Sequence, residues 1–184
     1  MKRELVLFFV SALFIYGCAS SGKQTFEQGQ ELAKINRLEE AVSLYEDAVR
    51  QEPDNQEYND TLKQARELLA KKHLDKAKSF VDARPLTFDI LRNAQNMADK
   101  SLKIFPDNED ATKLSAGIKT EMDALTKKAE LLYSSATKAI ETNDWIAAIE
   151  KLREIKTFYP AYLDLAVKLS LAENGSVEYY VKEA

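Results

Sequence analysis

Three prolines, Pro53, Pro106 and Pro160, stand 53 and 54 residues apart in this 184-residue chain, and each follows a run with helical periodicity. Proline cannot continue a helix because it lacks the amide proton and its ring meets the carbonyl four residues back, so each marks the end of a helix and a natural start for the next. The closing runs are Val49-Arg50-Gln51-Glu52, Leu102-Lys103-Ile104-Phe105 and Lys156-Thr157-Phe158-Tyr159. A chain so punctuated is built from repeated units, and a period of this size must be settled before any element is assigned. Glycine and proline are otherwise scarce, no stretch alternates with period two, and apolar residues recur at spacings of three and four. The chain therefore reads as all-α.

The first and third segments also superimpose at a constant offset of 107 residues. Phe26 falls on Tyr133, Gly29 on Ala136, Leu32 on Ala139, Asn36 on Asn143, Ala41 on Ala148, Tyr45 on Leu152, Ala48 on Ile155 and Pro53 on Pro160. The small residues (Gly29, Ala136), turn residues (Asn36, Asn143), alanines (Ala41, Ala148), large residues (Tyr45, Leu152) and closing prolines resemble the tetratricopeptide repeat. That resemblance implies stacked antiparallel helical hairpins, a TPR-like α-solenoid, in which small residues admit a close helix approach and the large one fills the space beside them. The middle segment departs from the pattern: Ala94 and Ala98 fit, but its first helix would run through Pro85, so Thr87 is read as the N-cap of a helix ending near Ile104.

Two helices are expected to be unusually long. Ile118, Met122, Leu125, Ala129, Leu132, Ala136 and Ala139 step alternately by four and three, a coiled-coil-like stripe that needs cover along its length. The simplest cover is the other long helix, about 54–82. A helix from Ala161 to Ala172 would cap the stack, stopped by Asn174-Gly175.

The N-terminus is a different kind of segment. Lys2 and Arg3 precede about twelve mostly apolar residues, Leu5 to Tyr16, the pattern of a secretory leader. As a helix that run would reach about 18 Å, against a hydrocarbon core of about 30 Å, so it is a poor membrane span. Ile15-Tyr16-Gly17-Cys18, followed by Ala19-Ser20-Ser21-Gly22, resembles the lipobox of bacterial lipoproteins. The resemblance implies cleavage before Cys18 and lipidation of that residue. Ala19 is not the aspartate that favours inner-membrane retention in enterobacterial lipoproteins, so the outer membrane, facing the periplasm, is implied, with the inner membrane as the alternative. Cys18 is the sole cysteine, which rules out an intramolecular disulfide or a multi-cysteine metal site.

The domain organisation expected is thus a signal peptide at 1–17, a lipidated tether at 18–24, a helical repeat domain at 25–173 with units of about 25–56, 57–106 and 107–173, and a flexible tail at 174–184. Loss of Lys2, Arg3 and Glu4 with the leader makes the formal net charge of −4 one unit more negative. Such a chain has no general attraction for nucleic acid or anionic lipid.

Catalytic chemistry is not expected, nor any cofactor or metal beyond the lipid on Cys18. His73 is the only histidine, in a lysine-rich helix four residues after Leu69, and reads as a packing residue. Glu39-Glu40, Glu46-Asp47 and Asp107 to Asp110 occupy helix starts and exposed faces, where carboxylates complement the helix dipole. No phosphate-binding loop, EF-hand spacing or serine-nucleophile motif is present.

Trp145, Tyr133, Phe158, Tyr159 and Tyr162 gather near the third repeat, either as packing residues or as a partner site. In the tetratricopeptide family the first helix of each pair lines the concave groove. The resemblance therefore implies a partner-binding face of Phe26, Gln30, Ala33 and Lys34 in the first unit and Tyr133, Thr137, Ile140 and Glu141 in the third, with Trp145 as an aromatic anchor. The function expected is a membrane-anchored scaffold that recruits an unidentified envelope protein, an accessory part of envelope assembly or secretion. The alternative is a periplasmic lipoprotein that captures a cell-wall fragment or small solute in a closed aromatic pocket around Trp145 and Tyr133.

Overall fold

A computed structural model describes residues 21–183. The leader at 1–17, Cys18 and the first residues of the expected tether lie outside the described residues. The described elements are seven helices: α1 (Ser21–Lys34), α2 (Leu38–Gln51), α3 (Gln56–Val81), α4 (Phe88–Ile104), α5 (Glu109–Glu141), α6 (Trp145–Phe158) and α7 (Leu165–Glu183). The all-α reading holds for them, with no strand among the described residues.

The proline turns share one local geometry. Glu52, Phe105 and Tyr159 have φ/ψ of −134/75, −135/86 and −143/68, the extended backbone imposed on a residue before proline. Each still donates its amide to the carbonyl four residues back: Ala48 at 3.0 Å, Ser101 at 2.9 Å and Ile155 at 2.7 Å. Three residues after each of these positions the chain closes a second turn, with Asn55, Asn108 and Tyr162 donating to the carbonyls of Glu52, Phe105 and Tyr159 at 3.1–3.2 Å. Asn55 and Asn108 then cap the following helices, accepting from the amides of Tyr58 at 3.3 Å and Ala111 at 3.0 Å. The third turn diverges after Tyr162, where Leu163 takes a positive φ of 42° before α7 begins.

The 107-residue register recurs in backbone conformation. Asn36 and Asn143 are left-handed, with φ of 63° and 59°, a region asparagine tolerates better than most residues. Both close their helices with the same pair of bonds. Arg37 and Asp144 donate to Leu32 and Ala139 at 2.9 and 2.8 Å, and Asn36 and Asn143 donate to Ala33 and Ile140 at 3.0 and 3.1 Å. This is the Schellman arrangement at equivalent positions. Thr87 caps α4 as expected, its hydroxyl oxygen accepting from the Ile90 amide at 3.3 Å.

The chain divides into two compact units, one ending at Leu69 and one beginning at Ala70, so the boundary falls inside α3 and inside the expected unit 57–106. In the first unit α1 packs on α2. Phe26 stacks on Tyr58 with ring centroids 4.3 Å apart and meets Tyr45 at 5.3 Å. A Cβ on Gly29 would stand 2.7 Å from Tyr45 Cε1, so glycine is what lets that ring lie between the helices. The expected tether ends earlier than 24, because the first turn of α1 has partners: the Ser21 hydroxyl donates to the Gln51 side chain, and a Cβ on Gly22 would lie 2.6 Å from Glu52 Oε1.

In the second unit α5 is a spine, and the stripe along it is not covered in the way its spacing suggests. Leu114, Ile118 and Met122 pack with Leu91, Ala94 and Ala98 of α4, joined by Ala77, Phe80 and Val81 from the end of α3. Ala129, Leu132 and Ala136 pack instead with Ala148, Leu152 and Ile155 of α6 and with Leu165, Leu169 and Ala172 of α7. Leu125 touches both groups. At 1.5 Å per residue α5 runs about 50 Å, whereas α4 and α6 are about 25 and 21 Å long, so two shorter helices cover it in series. Phe88 at the start of α4 stacks on Tyr159 just after α6, centroids 3.8 Å apart, at the join. Ser101, fully buried on α4, has its hydroxyl satisfied by the Ala70 carbonyl at 2.9 Å.

The expected stop at Asn174-Gly175 is not used: α7 continues through both residues to Glu183. Gly175 serves packing, since a Cβ there would stand 2.7–2.8 Å from three carbons of the Trp145 indole. The segment 174–183, expected as a tail, is the second half of a helix.

Candidate partner-binding site

The residues carried over from the repeat resemblance separate into core, turn and surface. Phe26 is only 4% exposed and belongs to the aromatic core of the first unit, so most of its ring cannot line a groove. Gln30 is half-buried and, with Tyr58 and the edge of Phe26, lines a depression of about 190 Å³ rimmed by Lys23, Glu27 and Glu57. Ala33 and Lys34 lie outside it. Ala33 accepts the turn bond from Asn36, and the Lys34 ammonium pairs with Glu31 at 2.6 Å on the surface.

In the second unit Tyr133 is not among the residues that line the cavity at Trp145. The Tyr133 hydroxyl donates to Asp164, Lys168 Nζ sits 5.1 Å from the ring centroid, and the ring meets Tyr162 edge-on at 5.6 Å. Burial, with the hydrogen bond and charge of Asp164 added, pushes the Tyr133 phenol up to about 12. Tyr162 contacts Tyr159 at 5.2 Å, and Tyr159 reaches Phe88. These aromatics knit α4, α5 and the α6–α7 turn together. The Thr137 hydroxyl donates to the Tyr133 carbonyl at 3.0 Å, within α5. Ile140 packs against the α6 core and holds the Asn143 turn, whereas Glu141 is exposed. Phe158 and Tyr162 are buried, which fits their reading as packing residues.

Trp145 packs against the same core cluster as Tyr133 but from the start of α6. It begins α6 after the Asp144 cap, whose carboxylate accepts from the Ala147 amide at 3.2 Å. Its indole floors a cavity of about 410 Å³ walled by Asn143 and, from α7, Leu171, Asn174, Gly175 and Tyr179, with Glu178 and Lys182 at one side. All of these lining residues except Trp145 and Gly175 are exposed, so the cavity is an open groove. Its chemistry suits a side chain or short segment with an apolar body and polar edges: an indole floor, two side-chain amides, and one charge of each sign.

Of the residues that line it only Trp145 belongs to the sequence-derived set; Asn143 and, from α7, Leu171, Asn174, Gly175, Glu178, Tyr179 and Lys182 are absent from it. Gly175 is the signal that could have found them, because a glycine inside a helical period marks close approach as readily as a helix end. His73 is buried on α3, in keeping with packing. Among the described residues no group of three or more His, Cys, Asp or Glu side chains is placed to hold a metal ion. No described helix is long and apolar enough to cross a membrane.

Residues 32–111, from the end of α1 to the start of α5, match the ThiD2 family. That stretch is less than half of the chain, and the family is not a tetratricopeptide family. No curated protein matches the sequence.

Proposed function

We propose that this protein is a TPR-like scaffold, held at the outer membrane by lipid on Cys18 and facing the periplasm, that recruits another envelope protein during assembly or secretion. The observation that carries the reading is the 107-residue register. It joins sequence to backbone, through the left-handed turns at Asn36 and Asn143 with their matching hydrogen bonds and the recurrent turns at Pro53, Pro106 and Pro160. Antiparallel hairpins with that turn chemistry support the repeat assignment for α1–α2 and α5–α6.

The open Trp145 groove supports recognition of a protein segment, since Trp and Tyr are favoured anchors and the groove sets the half-buried Trp145 and the exposed Tyr179 beside polar edges. The alternative of a captured cell-wall fragment or solute required Trp145 and Tyr133 to close one pocket. Tyr133 is absent from the lining of the Trp145 cavity and its hydroxyl is taken by Asp164, which counts against it. In this reading the chain is not an enzyme and carries no cofactor.

Crosslinking of the full chain in its own membranes, followed by affinity capture and mass spectrometry, tests the proposal. One stoichiometric envelope protein is expected, with recovery reduced at least fivefold by Tyr179→Ala combined with Lys182→Glu, both exposed positions. Recovery of no protein, or recovery of a co-purifying small molecule alone, overturns the scaffold reading. Recovery unchanged by the double substitution removes the groove from it.

A further inference from the structure

One surface of α7 has no covering element within the second unit. Val167, Val177 and Val181 are 68%, 63% and 72% exposed, and Leu171 and Tyr180 beside them are more than half exposed. Val167, Ser170, Asn174, Val177 and Val181 step by three, four, three and four, a heptad seam on the side of α7 opposite its buried residues Leu165, Leu169 and Ala172. The seam borders the Trp145 groove: Asn174 belongs to both, and Leu171 and Glu178 on its flank also line the groove.

The order of residues along the seam is what names its occupant. Read against itself in the opposite direction, Val167 meets Val177, Ser170 meets Asn174, and Val181 reaches the turn that carries exposed Leu163. Apolar side chains meet apolar ones, and the two polar residues share one layer, where the Asn174 amide can donate to the Ser170 hydroxyl. On the flanks Leu171 falls on Leu171 and Tyr180 on Ala166, a large residue over a small one. Glu173 falls on Glu173, and each is neutralised by its own Arg153 at 2.8 Å. A face that matches itself under a two-fold rotation is the property of an isologous interface. A parallel pairing would instead bring Glu173 against Glu178 and lose the Ser170–Asn174 layer.

We propose that a second copy of this chain docks on α7, the two helices antiparallel about an axis near Ala172. Helix-on-helix contact over this length buries less than the roughly 800 Å² per partner of a standard interface, so the dimer is weak and best detected by trapping it. Asp164 and Glu178 approach across one flank, so added salt, which screens like charges, favours the pair.

The test uses two full-length chains with different tags, one carrying Val167→Cys and the other Val177→Cys, produced together and oxidised in their membranes. Both positions are exposed, so helical content by circular dichroism should stay unchanged. Within one chain ten helical residues separate them by about 15 Å, beyond the 7 Å that a disulfide spans. A mixed disulfide between positions 167 and 177, at least fivefold more abundant than dimers of either variant alone and rising with salt, is the expected result, with the unsubstituted chain controlling for Cys18. Equal crosslinking of each variant with itself overturns the antiparallel register. No mixed disulfide, or adducts only with another protein, overturns the second copy as occupant.

Discussion

Gly29 and Tyr45 in the first unit correspond to Ala136 and Leu152 in the third, and the exchange is one of volume: a smaller residue on one helix admits a larger one on its neighbour. Alanine favours a helix over glycine by about 1 kcal/mol. At position 29, however, a Cβ stands 2.7 Å from a ring that Phe26 also contacts, and overpacking of that kind costs about 1–3 kcal/mol. Gly29→Ala is therefore expected to destabilise the protein by about 1 kcal/mol in denaturant unfolding. In a Tyr45→Leu background, which restores the third unit's pairing, the same substitution should stabilise by a similar amount, because the ring is gone and the propensity gain remains. A sign that does not reverse would mean that the two sites are not packed as a pair.

Tyr133 makes a second test at this scale, of charge rather than volume. Its phenol is raised from 10 to about 12, burial first and Asp164 second. A group held protonated in the folded state contributes stability that is complete below pH 10 and is lost as the pH rises toward 12. The ultraviolet difference titration between the protein and Tyr133→Phe should place this ionisation near pH 12. Asp164→Asn should lower it only part of the way, since burial persists.

At the level of elements, much was legible in advance because it is dictated by neighbours in sequence. Proline sets the backbone of the residue before it, and asparagine accepts the left-handed turn, so the ends of α1, α2, α4, α5 and α6 follow from a few side chains. The cover over α5 was not legible. Alternating steps of four and three from Ile118 to Ala139 say that a stripe must be buried, but they do not distinguish one long partner from two short ones in series. Gly175 was misleading for the same reason: its contact, Trp145, lies thirty residues earlier and is a tertiary fact. The groove depends on that contact, so the sequence alone pointed to Trp145 without its surroundings and to Tyr133 for a role that α4 and the α6–α7 turn had already taken. The locally encoded part also predicts an outcome. Asn108 caps α5 through the Ala111 amide at 3.0 Å, and Asn108→Ala should cost about 1 kcal/mol. Amide exchange of Ala111 and Thr112 should accelerate, whereas exchange in the middle of α5, near Leu125, changes only by that global loss.

For the molecule as a whole, the proposal separates two properties that different parts of the chain supply. Recognition is assigned to the helical units, and residence at the membrane to Cys18. No described helix can span a bilayer, so under this reading the attachment depends on the lipid. A single acyl chain gives only marginal, reversible membrane binding, and stable anchoring takes more than one hydrophobic signal. Replacement of the thiol removes the point at which all of that lipid would be attached. Cys18→Ser in cells fed labelled palmitate should therefore abolish label in this protein. If the leader is still removed, the chain should move from the membrane to the soluble envelope fraction; if it is not, the chain should remain membrane-bound by Leu5 to Tyr16 and run as the longer precursor. In either case α1 to α7 should retain their helical content, because the described helices begin at Ser21, beyond the substituted position. Label that persists in Cys18→Ser would sink the anchor while leaving the groove and the α7 seam to be judged by their own experiments.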